Sequence, residues 1–210
     1  MRVPGFLLAS RETARRLPRF LALTDRKRAP DPFAMLAHLP NDCGLVWRAY
    51  EEQISRTRLH ALSRVARRSH VPLFIALPRG HRTEGLPLHL HLPEHRLNIP
   101  YTDGLYRPER RVNRQTIITA AAHSQRAVIA AAHAGVDAVL ISPVFPTRSH
   151  QGGQSLGVVR FTALARLAHE HGLAVYALGG VNDVSKIRRL AASGATGIAG
   201  IDIFLTDDQA

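Results

Sequence analysis

The sequence predicts a single α/β domain built as a (β/α)8 TIM barrel, a closed parallel sheet with helices on the outside. Three observations predict it. Eight short apolar runs recur at roughly 25-residue intervals, most followed by a stretch of helical spacing; such alternation implies parallel strands, because a parallel pair needs a crossover. The 210 residues suit one barrel at the compact end of its size range. The first strand is followed by Thr24-Asp-Arg-Lys-Arg28, without the glycines that open a doubly wound nucleotide-binding sheet.

Taken in order, strand one is read at 20–24, followed by a polar break and a helical stretch to His38 opened by Pro30 and Pro32. Strand two is read at 44–48. Helix follows at 54–68, where Leu59, Leu62, Val65 and Ala66 lie three and four apart and make one buried stripe. Residues 71–77, apolar and bounded by Pro, read as a buried third strand, and 87–92 alternates Leu with His at the period of a fourth. Segment 93–114 mixes Pro, Gly and charge and reads as loop with one short helix. Strand five is expected at 115–121, then an alanine-rich helix at 124–134 with Ser124 as its N-cap and Gly135 just past its end. Strand six (137–142), a Gly, Ser and Pro loop (143–157), helix 158–171, strand seven (173–178), helix 182–192 and strand eight (196–199) complete the barrel domain of 20–210. Residues 1–19, amphipathic and Arg-rich, form an N-terminal extension, read as a helix against the barrel or a cap over its bottom.

Composition narrows the class. A 45% hydrophobic share supports a buried core and excludes disorder, collagen and coiled coil for the whole chain. The lone Cys43 excludes an intrachain disulfide and a cysteine-rich zinc module, and reads as buried and inert. No apolar run approaches the ~18 residues of a membrane span, and the first ten residues make a poor secretory signal. A soluble, cytoplasmic protein is expected.

The formal net charge is +12 and is unevenly placed. Residues 1–114 hold 20 Arg, one Lys and 10 acids, whereas 115–210 hold six Arg, one Lys and six acids, so nearly all the excess lies in the first half. Two readings stand: a habit of using Arg for every solvated cation, or a nucleic-acid face. The Arg clusters have few interleaved aromatics to serve as stacking platforms, which makes nucleic acid the disfavoured partner.

A barrel's chemistry sits where its strands end. Ala177-Leu-Gly-Gly-Val-Asn-Asp183 places two glycines at the end of strand seven, where backbone can approach a ligand and the next helix offers N–H groups and its positive dipole end. Gly197-Ile-Ala-Gly-Ile-Asp202 repeats the arrangement after strand eight. Together they read as the phosphate site that barrels build from loops seven and eight.

The stretch Asp137-Ala-Val-Leu-Ile-Ser-Pro-Val-Phe-Pro-Thr147, followed by Ala177-Leu-Gly-Gly-Val181 and Gly194-Ala-Thr-Gly-Ile-Ala199, closely resembles the thiamine phosphate synthase/TenI family. Looser matches are Leu23-Thr-Asp-Arg26, Trp47-Arg48, Leu90-His-Leu-Pro-Glu94 and Ala122-His-Ser124, so the resemblance spans about 20–204. It implies a barrel that joins a pyrimidine pyrophosphate to a thiazole phosphate with magnesium, releasing pyrophosphate. A multiply charged leaving group needs cations and a carboxylate-held metal. On the thiazole-phosphate side the implied residues are kept: Thr147, Gly157, Gly179, Gly180, Ala199 and Gly200. The pyrophosphate side is largely replaced. Of the family's Gln-x-Arg-x-Lys at strand two only Arg48 remains; the Asn-Asp of strand three is Ala76 and Leu77; its metal-binding Asp falls near Arg96 and its Lys near His150. The histidine of the related tautomerase branch is Pro143 here.

The catalytic candidates are therefore Arg48 and His150, facing the leaving group with Arg148 as a substitute cation, and His123 as an acid or base, or else as a cap of the following helix. No residues are assigned as metal ligands. Magnesium is expected if the chain is an active synthase and no cofactor otherwise. His89 and His91 face one way in a strand and read as interior residues hydrogen-bonded to neighbours rather than metal ligands. Trp47 reads as filling space left by missing pyrimidine contacts. The partner expected is a small phosphorylated heterocycle, transformed by a synthase or held by a re-purposed relative; there is no membrane partner, and a homo-oligomer is compatible with the sequence.

Overall fold

A computed structural model describes residues 17–40, 42–49, 54–76, 88–97, 116–147 and 154–204. Eight strands, β1 (Phe20–Leu23), β2 (Cys43–Arg48), β3 (Leu73–Ala76), β4 (His89–Leu92), β5 (Ile118–Ala122), β6 (Ala138–Ile141), β7 (Ala174–Leu178) and β8 (Gly197–Gly200), close into a barrel in sequence order. Every neighbouring pair is parallel, and β1 pairs with both β2 and β8. Around them lie α1 (Pro32–His38), α2 (Arg56–Arg68), α3 (Gln125–His133), α4 (Gly157–Glu170) and α5 (Val184–Arg189), with single 3-10 turns at Glu94–Arg96 and Asp202–Phe204.

Local chemistry sets the helix starts. Asp31, Ser55, Ser124 and Asp183 each accept a hydrogen bond from a backbone N–H of the first turn, satisfying donors that have no partner inside the helix. The cap at Ser124 is the expected one. Helix α5 is shorter than the 182–192 expected because Asp183 stops it on one side and Leu190 is its C-cap on the other.

Side chains alternate along a strand, so one set fills the barrel. Leu21, Leu23, Val46, Phe74, Leu140 and Tyr176 belong to that interior cluster, and Leu17, just before β1, joins it. Tyr176 is accommodated by Gly197 on the neighbouring strand, where a Cβ would lie 2.5 Å from its ring. Its hydroxyl donates to the Pro18 carbonyl at 2.6 Å, and burial pushes its pKa up. His91 is inside as well, with Nδ1 2.9 Å from the Thr119 hydroxyl. That hydroxyl gives its own hydrogen to the Leu90 carbonyl, so Nδ1 carries the ring proton. Burial, aided by the Arg48 charge, lowers the His91 pKa to about 3. His89 uses Nδ1 to accept from the Ile117 amide and packs on the Phe74 ring. Both histidines are interior residues with neighbours as partners, as expected.

The opposite set packs under the helices in two clusters, one beneath α1 and α2 and one beneath α3 and α4. Trp47 corrects an expectation. It is fully buried in the first of these clusters, outside the barrel, with the Arg58 guanidinium 5.4 Å from its ring. It fills no ligand space, because Arg48 faces the barrel mouth and its neighbour in the strand must face away.

Candidate functional site

Loops six and seven are knitted together by backbone. Val144 N–H donates to the Leu178 carbonyl at 2.9 Å and Phe145 N–H to the Gly179 carbonyl at 3.0 Å. The paired glycines make this approach feasible. Both have positive φ (+94° and +69°), and a Cβ on Gly179 would sit 2.8 Å from Pro143 Cα. A Cβ on Gly180 would fall on the Pro146 carbonyl oxygen and 2.8 Å from Phe145 Cβ. The backbone that crowds these glycines is therefore loop six. Behind this seam lies a shallow concavity of about 40 Å³, open to solvent, lined by Thr147, Gly179, Gly180, Ala199 and Gly200 together with Arg28, Val181, Asn182, Ile201 and Asp202.

Five of the six phosphate-side residues expected from sequence thus share one cradle. The sixth, Gly157, opens α4 and donates its amide to the Val144 carbonyl at 2.9 Å, away from the cradle lining. The helix that follows the two glycines, α5, is capped by Asp183. Asp183 Oδ1 already accepts from the Lys186 amide of the first turn of α5 at 2.8 Å, and that bond holds the Asp183 carboxyl below its ordinary range. The cradle lining stops at Asn182, before that helix, and adds the Arg28 guanidinium to loop backbone.

Beside the cradle, four charged side chains cross the barrel mouth. Arg48, at the end of β2, donates through its amide to the Thr24 hydroxyl (2.9 Å) and through Nε to the Thr24 carbonyl (2.7 Å), while Nη2 lies 3.2 Å from Asp25 Oδ2. Asp25 also accepts from Arg28 Nη2 at 3.3 Å and from the amides of Lys27 and Arg28. Burial pushes the Asp25 carboxyl up, but the hydrogen bonds from Arg28 and the two amides, with the Arg28 charge, outweigh it and lower the pKa. Arg28 then reaches Asp202, Nη1 to Oδ1 at 2.6 Å.

On the far side of the mouth His123 follows β5. Its Nδ1 is 2.8 Å from the Ser142 carbonyl, which can only accept, so this nitrogen carries hydrogen, while Nε2 lies 3.9 Å from Glu94 Oε2. Glu94 Oε2 accepts from the His123 amide at 2.7 Å. The following helix is capped by Ser124, so His123 bridges strand ends instead of capping. Arg148 and His150 lie outside the described residues. Cys43 is buried, its thiol pushed up to about 11 by burial and the neighbouring Asp42, which keeps it an inert thiol.

Among the described residues no three His, Cys, Asp or Glu side chains gather as metal ligands. Asp25, Asp202 and Glu94 at the mouth are instead held by guanidinium and amide donors, so the described carboxylates do not fit a magnesium site. Among the described residues no helix is long and apolar enough to cross a membrane. Sequence reasoning passed over Asp25, Arg28 and Asp202. Asp25 and Arg28 lie just after the first strand and Asp202 just after the last, but Arg28 is 174 positions from Asp202 and no spacing links the two.

An eight-stranded parallel barrel with a backbone cradle at the ends of β7 and β8 is the architecture that phosphate-handling barrels share. The family model described as thiamine monophosphate synthase (TMP-TENI) matches residues 53–204. A protein of Aquifex aeolicus named "Putative thiamine-phosphate synthase 2" is 30% identical over 201 residues, covering 90% of this chain and 98% of its own. The chain belongs to the thiamine monophosphate synthase/TenI family. Among solved structures, thiamine phosphate pyrophosphorylase from Pyrococcus furiosus superposes with a TM-score of 0.64 at 19% identity, covering 92% of this chain and 91% of that one. Deoxyribose phosphate aldolase from Aeropyrum pernix gives 0.58 at 16% identity over 94% and 90% of the two chains. At these identities the structural likenesses concern the fold alone.

Proposed function

We propose that the protein is a thiamine phosphate synthase-type transferase that joins a pyrimidine pyrophosphate to a thiazole phosphate. In this reaction the thiazole nitrogen forms a bond to the pyrimidine methylene carbon as its bond to oxygen breaks, and the electron pair leaves with pyrophosphate. The observation that carries the reading is the cradle that brings Thr147, Gly179, Gly180, Ala199 and Gly200 together in a member of this family. The thiazole phosphate would lie there, held by loop backbone. Arg48, pinned at the end of β2 by Thr24, would face the departing pyrophosphate with a planar, permanently charged donor. His123, its ring oriented by the Ser142 carbonyl, would exchange a proton with leaving-group oxygen through Nε2.

A second reading, retention of a phosphorylated heterocycle without transfer, is favoured by one observation: the described mouth carboxylates are committed to Arg28, Arg48 and backbone. Incubation with both substrates and magnesium, followed by mass spectrometry, separates the two. The synthase reading expects thiamine phosphate from the wild type and its loss in Arg48→Ala. No product, with thiamine phosphate still bound in calorimetry, leaves the second reading.

A further inference from the structure

The cradle carries a feature at odds with a simple phosphate grip, because one wall is a carboxylate. Asp202 lines it, and a phosphoryl dianion seated against the same loop would meet like charge. Asp202 is not exposed freely: its side chain is 35% accessible and Oδ1 holds Arg28 Nη1 at 2.6 Å. Arg28 also lines the cradle and is braced from beneath by Asp25, which contacts Nη2, Nε and the Arg28 amide. The braced loop is closed by a two-way backbone bridge between Asp25 and Ala29, at 2.9 and 3.0 Å. The described chain Arg48, Asp25, Arg28, Asp202 alternates in sign and sums to zero, so within it every positive charge has a carboxylate beside it.

We infer that Arg28 and Asp202 form a charge latch on the cradle. With the cradle empty, Asp202 holds the outer nitrogen of Arg28. When a phosphoryl group enters, Nη1 transfers from Asp202 to a phosphoryl oxygen while Asp25 keeps the rest of the guanidinium in place. Asp202 is then a competitor for the same donor, and it sets how much negative charge a ligand must bring to open the latch. A phosphomonoester dianion satisfies that condition better than a singly charged carboxylate ligand does. This inference rests on the cradle being the phosphate site proposed above, and it adds the side chains that select the anion there.

The test is isothermal titration calorimetry with inorganic phosphate and with thiamine phosphate on the full chain, comparing wild type, Asp202→Asn and Arg28→Gln. Asp202→Asn keeps the shape and removes the competitor, so affinity should rise about tenfold. Arg28→Gln removes the donor and leaves Asp202 facing the ligand, so affinity should fall about tenfold or more. A gain of affinity in Asp202→Asn cannot come from damage to the fold, which keeps the test valid even if Arg28→Gln fails to fold. Unchanged or weaker binding by Asp202→Asn, with the wild type binding normally, overturns the latch and leaves the cradle standing. Absence of binding in both wild type and Asp202→Asn overturns the cradle and the latch together.

Discussion

The two sides of the barrel mouth are built from different material. At the ends of β6, β7 and β8 the surface is mostly backbone: glycines under steric compulsion, carbonyls of Leu178 and Gly179 tied to the facing loop, and few charges. At the ends of β1 and β2 it is side chains, with Arg48, Asp25 and Arg28 linked by hydrogen bonds. Backbone recognition tolerates little substitution, because a Cβ or a changed φ alters the loop itself. Side-chain recognition can be rebuilt one residue at a time.

The largest expected effect lies on the backbone side. Gly180→Ala places a methyl on the Pro146 carbonyl at a φ of +69°, and should cost about 3 kcal/mol or more in urea denaturation, separating loop six from loop seven. Gly200→Ala tests the same cradle without that penalty, since its Cβ meets only the Ile203 side chain at 3.1 Å and the Val181 carbonyl at 3.8 Å. It should cost less than about 1 kcal/mol. Equal losses at the two positions would contradict the view that only the first glycine is a fold requirement.

The next effect is acid sensitivity of the interior. His91 has its folded pKa lowered from 6.5 to about 3, so between those values the unfolded chain takes up a proton that the folded chain refuses. Stability is complete above pH 6.5 and should fall by up to about 1.4 kcal/mol per pH unit as pH drops toward 3. Urea midpoints from pH 7 to 4 measure this, and His91→Asn should flatten the slope. An unchanged slope in that variant would assign the sensitivity to other groups.

A smaller effect belongs to the side-chain half of the mouth. The folded pKa of Asp25 is depressed, so its contribution is present above the unfolded value near 3.8 and is lost as pH falls through the folded one. Asp25→Asn should cost about 1 to 2 kcal/mol at pH 7 by leaving Arg28 and Arg48 each short of a partner. Smaller still, Tyr176→Phe should cost about 1 kcal/mol by removing the donor to the Pro18 carbonyl, with no effect on ligand affinity. A large affinity change in that variant would mean that the barrel interior and its mouth are coupled.

Much of the fold is legible in the sequence because its rules are local. The apolar runs Leu73–Ala76 and Ala138–Ile141 are buried on both faces, as parallel barrel strands must be, and breakers separate them. Ser124 before an alanine-rich run is a cap by chemistry alone. The glycine cradle is legible too, although its glycines answer to Pro146 and Phe145 as well as to any ligand. Trp47 shows where local rules stop, since one residue of register decides between barrel interior and helix interface. The latch residues lie further beyond reach: Arg28 and Asp202 meet only because the last strand closes against the first.

The most direct measurement is a crystal structure of the protein soaked with thiamine phosphate. The phosphoryl group should lie between segments 179–182 and 200–202, with backbone amides of both loops and Arg28 Nη1 within hydrogen-bond distance of its oxygens. A phosphoryl group bound elsewhere on the barrel, with the Arg28 to Asp202 contact still closed over an empty cradle, would contradict the account.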